Sequence, residues 1–319
     1  MNIAHLIDSG GMYGAEITLI NLCLAQMDQG HSPTVISIAT PDSPTKPLET
    51  KLAQLAIPYT RWEMKPLPDL REAKKIIFFC EKNSMDVIHS HGYKGNILLG
   101  LLPRKFRKTP IVTTMHGYTK HSLFSKMTVY QFLDRLCIKF LDAIVLVSES
   151  MKHQIHTKNI SQKLFIVENG IPTQPSVSHK DYQSTFSIGD FKIGSLGRLS
   201  NEKNFGMLIE AFSILEKHIK NAKLVIYGEG PEREYLNRQI AKFNLEKKIQ
   251  LPGFLSDTTN FLTDIDVFIN CSTTEGMPIS ILEAMRAGCP IVATNIPANV
   301  ALLDSLTIKN QFCELTAES

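Results

Sequence analysis

The stretch TTEGMPISILEAMRAGCPIVAT, residues 273–294, sets Glu275 and Glu283 eight positions apart with Pro278 between them. Proline suits the first turn of a helix, where its missing N–H would have no partner, and Gly288 suits a C-terminal stop. The spacing therefore predicts a helix over about 278–287, with Glu275 in the loop before it. At 1.5 Å rise per residue, Glu283 lies roughly 7 Å along the axis from Pro278. The two carboxylates then reach different parts of one extended ligand and do not form an adjacent acid/base dyad. The helix start around Met277, Pro278 and Ile279 directs backbone N–H groups at whatever lies between them. Arg198 and Lys203, five residues apart in GSLGRLSNEKNF, add two fixed cations at another strand end. Arg engages oxyanions bidentately and Lys acts as a point charge, so the pair suits a diphosphate. Carboxylates grip vicinal hydroxyls while cations grip phosphate, and the implied ligand is a sugar nucleotide.

Two further loops could contribute. DSGGMYGAEITL places Gly10, Gly11 and Gly14 between a strand and a helix, where the backbone can approach a phosphate closely. An ordinary tight turn would explain these glycines equally well. His116 in TTMHGYTK ends an apolar run and could bond a sugar hydroxyl or serve in proton transfer, although a lone histidine is commonly structural. No DxD pair, HExxH or nucleophile elbow accompanies these residues, so no metal is expected. A departing diphosphate would be met by Arg, Lys and N–H groups alone.

The elements that must hold these residues are legible as short β-branched runs separated by helical stretches. The runs are 2–8, 33–39, 86–91, 110–116, 142–148 and 163–168, then 191–197, 222–228, 248–253, 266–272 and 289–294. Most are continuously apolar, as in parallel strands buried on both faces. Strand and helix in alternation predict α/β sheets with right-handed crossovers. At 319 residues, two domains are expected. The polar, Pro- and Ser-containing segment 171–190 is read as a linker between an N-terminal domain, 1–170, and a C-terminal domain, 191–319, with a ligand cleft between their strand ends.

Composition narrows the class. The chain is 43% hydrophobic and 20% charged, with a net charge of +3, in the range of globular proteins. Residues 1–170 carry 20 basic and 14 acidic side chains, and residues 171–319 carry 14 and 17. The first half is thus the one expected to face anions. No apolar run is long enough to span a bilayer, and MNIAHLID reads as a first strand, not a secretion signal. Six cysteines without a CxxC pair argue against zinc and disulfides and for reduced thiols in the cytosol.

Taken in order, these residues resemble retaining glycosyltransferases of family 4, which have two Rossmann-like domains in the GT-B arrangement. GGMYGAE, DVIHSHG, TTMHG, IVENGIP, GRLSNEKNF, YGEGPER and the E-x7-E stretch EGMPISILE carry the resemblance across most of the chain. The resemblance implies transfer of a sugar from a nucleotide-diphosphate sugar to a glycan or lipid-linked acceptor with retention of anomeric configuration, in cell-surface polysaccharide synthesis. It implies that Gly10 and Gly11 lend backbone to the diphosphate, that His116 bonds the donor sugar, and that Arg198 and Lys203 hold the diphosphate. Glu275 would contact sugar hydroxyls and Glu283 the ribose, with Gly228 and Gly253 lining the nucleotide side. The 25 residues after Thr294 do not match the family's usual continuation through a further strand and final helices, so a truncated C-terminal domain is expected. Residues 96–108 set apolar positions beside Arg104, Lys105, Arg107 and Lys108. These suggest contact with an anionic membrane from the cytoplasmic side, the alternative being a core helix followed by a solvated loop. No nucleic-acid partner is expected. An epimerase or hydrolase of the same fold, or a catalytically degenerate partner protein, remains compatible with these motifs.

Overall fold

A computed structural model describes residues 1–66, 69–102, 104–117, 126–155, 160–173, 184–304 and 311–313. The chain divides into two compact units, Met1–Gly170 and Ile171–Ser319. Residues 174–183, the middle of the expected linker, lie outside the described residues.

In the first unit, strands β1 (Asn2–Ile7), β2 (Ser32–Ala39), β3 (Tyr59–Glu63), β4 (Val87–His91), β5 (Ile111–Met115), β6 (Ala143–Leu146) and β7 (Leu164–Ile166) form one sheet. Its order is β3-β2-β1-β4-β5-β6-β7 and every pairing is parallel. Helices α1 (Gly14–Asp28), α2 (Pro47–Gln54), α3 (Leu70–Lys82), α4 (Tyr93–Gly100) and α5 (Lys126–Cys137) run between the strands. Leu19, Ile20 and Cys23 of α1 pack on Ile7, Val35, Leu48, Leu52 and Ile57. At the start of α1 the Glu16 carboxylate accepts the Tyr13 N–H at 3.1 Å, and at α3 the Asp69 carboxylate accepts the Arg71 N–H at 2.8 Å.

The second unit repeats the plan. Strands β8 (Phe191–Leu196), β9 (Ala222–Tyr227), β10 (Ile249–Gly253), β11 (Val267–Asn270), β12 (Ile291–Thr294) and β13 (Gln311–Cys313) are ordered β10-β9-β8-β11-β12-β13, all parallel. Its helices are α6 (Phe205–His218), α7 (Arg233–Lys242), α8 (Thr259–Asp264), α9 (Ile279–Arg286) and α10 (Pro297–Leu303). Two apolar layers enclose the sheet. One gathers Leu208, Ile209, Phe212 and Leu236, the other Phe261, Phe268, Ile281 and Ala284. Helix α9 begins directly after Pro278, and Gly288 ends it with φ +70°.

Two strands were not legible in the sequence. β3 is a sheet edge with partly exposed, polar-bearing residues, so it lacks the continuous apolar run that marks the inner strands. β13 falls in the tail that resembled no family continuation, yet it pairs with β12 through Val292–Gln311, Ala293–Phe312 and Thr294–Cys313. The second unit's sheet therefore does extend beyond β12.

Candidate functional site

In sheets of this order the strand sequence reverses beside the first strand, between β1 and β4 and between β8 and β11. Loops leaving the carboxyl ends there diverge and leave room for a ligand. The residues singled out in the sequence fall on these loops.

In the second unit, β8 ends at Leu196, followed by Gly197 and the exposed Arg198. Lys203 comes at the end of a short 3-10 turn, where Asn204 adopts φ +54° before α6. Its ammonium reaches Glu275, in the loop after β11, at 2.5 Å. The Ser272 hydroxyl donates to the same carboxylate oxygen at 2.7 Å. Backbone bonds join the two loops, since Thr273 N–H donates to the Glu202 carbonyl at 2.8 Å. A cation and an anion 72 residues apart thus share one strand-end position, with 20% and 11% of their side chains exposed. Burial to this degree strengthens the pair and leaves each charge able to exchange its partner for a ligand.

Glycines shape the floor beside this pair. Gly228, after β9, has φ +152°, and a Cβ there would overlap the carbonyl of Gly197. Its N–H donates to the carbonyl of Gly253, which has φ +107°, at 2.7 Å. The ends of β8, β9 and β10 therefore meet backbone to backbone, a contact that only glycine permits at 228. Met277 and Pro278 precede α9, whose first residue is Ile279, so the first-turn N–H groups open at the same strand edge as Glu275.

Glu283 lies one turn further along α9. Burial pushes its carboxyl up to about 7, against the opposing pull of Arg286 and a hydrogen bond with Thr258, while Asp257 adds repulsion. Its partners are different from those of Glu275, and the two acids do not form a dyad.

In the first unit, Gly10 and Gly11 follow β1. The Ser9 hydroxyl donates to the Gly11 carbonyl at 2.7 Å, and a Cβ on Gly11 would come 2.6 Å from the Tyr13 ring. Two lysines that sequence reasoning passed over brace this loop. Lys46 reaches Asp8 at 3.0 Å and the Ser9 carbonyl at 2.7 Å, and Lys94 reaches Asp8 at 3.1 Å. No local motif announces them, because the contacts join the end of β1 to the loop before α2 and to the first turn of α4. His116, just past β5, sets Nε2 3.4 Å from His91 Nδ1, and burial lowers its pKa to about 4. It is a neutral hydrogen-bonding group at physiological pH. Gly117 beside it has φ +122°, and its carbonyl accepts the Tyr93 hydroxyl at 2.9 Å.

His5, His89 and His91 bring three ligand nitrogens within 4.8 Å of one another, although no metal motif marks them in the sequence. One expectation needs correction. Arg107, expected to face a membrane, is buried: it pairs with Asp142 at 2.5 Å and donates to the Thr109 and Phe140 carbonyls. Arg104 also pairs with Asp142, at 3.2 Å, which leaves Lys105 and Lys108 as the exposed members of that cluster without an ion pair among the described residues. The apolar part, Ile97 to Leu99, is core helix. All six cysteines are free thiols, and five of them are buried. Among the described residues, no helix is long and apolar enough to cross a membrane.

The family model for Glycosyltransferase Family 4 matches residues 12–175, and that for Glycosyl transferases group 1 matches residues 180–307. The O-antigen biosynthesis glycosyltransferase WclY of Escherichia coli is 24% identical over 319 residues, covering 97% of this chain and 84% of the relative. The UDP-Gal:alpha-D-GlcNAc-diphosphoundecaprenol alpha-1,3-galactosyltransferase of Escherichia coli is 28% identical over 260 residues, covering 77% of this chain and 66% of the relative. The structure of Anabaena Alr3699/HepE in complex with UDP-glucose superposes with a TM-score of 0.80 at 20% identity, covering 100% of this chain and 87% of that one. At that identity the likeness concerns the fold.

Proposed function

The chain belongs to glycosyltransferase family 4, and on that premise we propose that it transfers a hexosyl unit from a UDP-sugar to a lipid-linked glycan with retention of configuration. The observation that carries this reading is the Lys203–Glu275 pair at the second unit's switch point, beside Arg198 and the start of α9. A nucleotide diphosphate takes Lys203 as counter-ion, with Arg198 as a bidentate second donor, and frees Glu275 to accept hydrogen bonds from sugar hydroxyls. Glu283 accepts from the ribose, and the Gly228–Gly253 backbone borders the nucleotide. Leaving-group charge is met by Arg198, Lys203 and N–H groups, with no metal required. A UDP-sugar is the first donor to test, because one relative and one solved structure of the same fold carry UDP-sugars in their descriptions.

The test pairs binding with turnover. UDP raises the melting temperature of the folded chain, since a ligand that binds only the native state stabilises it. Donor is consumed only when a lipid-linked acceptor is supplied. Donor consumption without acceptor points to an epimerase or hydrolase, and absence of any nucleotide response sinks the donor site.

An exposed apolar stripe supports a membrane-borne acceptor approached from the cytoplasmic face. Val129, Phe132, Leu133 and Leu136 on α5 follow helical spacing at i, i+3, i+4 and i+7, and Phe106 and Phe140 are exposed as well. Arg135, Lys139, Lys105 and Lys108 are exposed in the same segments, so the occupant that fits is an anionic bilayer. Flotation with anionic vesicles should capture the wild-type chain and lose Phe132→Asp/Leu136→Asp. Equal flotation of both would remove this surface from the proposal.

A further inference from the structure

Three histidines of the first unit, His5, His89 and His91, form a cluster to which the transfer chemistry assigns no role. His5 on β1 pairs in register with His89 on β4, and His91 follows two residues later. Successive same-face positions of a strand are two residues apart, so all three rings share one face of the sheet. His5 Nδ1 and His91 Nε2 share a hydrogen bond 3.1 Å long, which an ion bound between them would replace. Zinc–imidazole bonds of about 2.0–2.1 Å place the nitrogens of a tetrahedral site about 3.4 Å apart. That pair already stands at coordination spacing, and the third ring completes the group within 4.8 Å.

The other nitrogen of each ring is already occupied. His5 Nε2 meets Gln26 Oε1 at 2.8 Å, His89 Nε2 meets Thr114 Oγ1 at 2.7 Å, and His91 Nδ1 meets His116 Nε2 at 3.4 Å. Such partners fix ring orientation and leave the opposite nitrogen for a metal, which is the usual outer shell of a histidine site. His5 and His91 are buried and His89 is half-buried, which gives a cation one side of approach.

We propose that His5, His89 and His91 bind one divalent cation of the zinc type, with Gln26, Thr114 and His116 as its outer hydrogen-bonding shell. Three imidazoles and no carboxylate select borderline ions such as Zn2+ or Co2+ and reject Mg2+ and Ca2+, which demand oxygen ligands. The site is structural and joins β1 to β4, and it touches the donor reading only through His116, the outer partner of His91.

The experiment titrates the chelator-stripped full chain with CoCl2, ZnCl2 and MgCl2, reading visible absorption, calorimetric stoichiometry and melting temperature. The expected result is one ion per chain, a four-coordinate cobalt spectrum displaced by zinc, a raised melting temperature with zinc, and no response to magnesium. His89→Ala, at the half-buried ligand, should abolish the spectrum, and Thr114→Val should weaken affinity 10- to 100-fold with unchanged circular dichroism. The exposed control His218→Ala should bind as wild type. Absence of binding, a six-coordinate cobalt spectrum, or binding that survives His89→Ala overturns the proposal. If His89→Ala does not fold, unchanged affinity in Thr114→Val does the same.

Discussion

The two units share a strand order around the first strand, yet their switch points carry opposite chemistry. In the first unit the strand ends present neutral imidazoles, with Asp8 held by Lys46 and Lys94. In the second a partly exposed Lys203–Glu275 pair sits beside Arg198 on a glycine floor. The fold supplies the same divergence of loops in both places. Only the side chains decide whether an anion, a hydroxyl or a metal is met there.

The glycines sharpen this contrast most. At Gly228 a new Cβ would strike the Gly197 backbone, which cannot swing away, whereas at Gly11 it would strike the movable ring of Tyr13. Gly228→Ala should therefore lose most of the chain's stability, with a cost above about 4 kcal/mol, while Gly11→Ala should cost on the order of 1 kcal/mol. Thermal unfolding of the two variants measures the difference, and equal melting temperatures would break the comparison.

Next in size is the charge pair. Lys203→Ala should lower turnover on the order of 10²-fold, the scale for losing one charge-stabilising donor. Arg198→Ala should fall in the same range. Normal kcat/KM in both variants would mean that the second unit's cations do not serve the leaving group.

The smallest effect concerns pH. The Glu283 carboxyl titrates near 7 when folded but in the usual carboxylate range when unfolded. The folded state thus binds the extra proton, and its contribution to stability falls as pH rises from about 4.5 through 7. Without donor, Glu283→Gln should flatten that decline, so its melting temperature gains on wild type between pH 5 and pH 8. His116, whose pKa burial lowers from 6.5 to about 4, contributes the opposite slope: the unfolded chain takes up its proton first, so its contribution to stability rises as pH climbs through that range. Parallel pH profiles for wild type and Glu283→Gln would show that burial does not perturb this acid.

Much of the fold was legible because inner parallel strands are buried on both faces and announce themselves as unbroken apolar runs. β3, a partly exposed edge, and β13, a three-residue edge, carry no such signal. The cation and carboxylate positions were legible because Gly197, Pro278 and Gly288 mark the ends of elements, and ligand-facing residues follow strand ends. Arg107 was misread for the same local reason: beside Arg104, Lys105 and Lys108 it looks like one of a solvated cluster. Asp142, 35 residues away, is what draws it inside.

By itself, the sequence determined the alternation of strand and helix, the family, and which loops carry charge, because these depend on periodicity and on residues near in the chain. Tertiary structure alone decided which side chains meet. Lys203 joins Glu275 across 72 residues, and His5 joins His91 across 86. The physical reason is register: parallel strands set side by side by crossovers bring distant positions together on one face, and no local pattern encodes that neighbour.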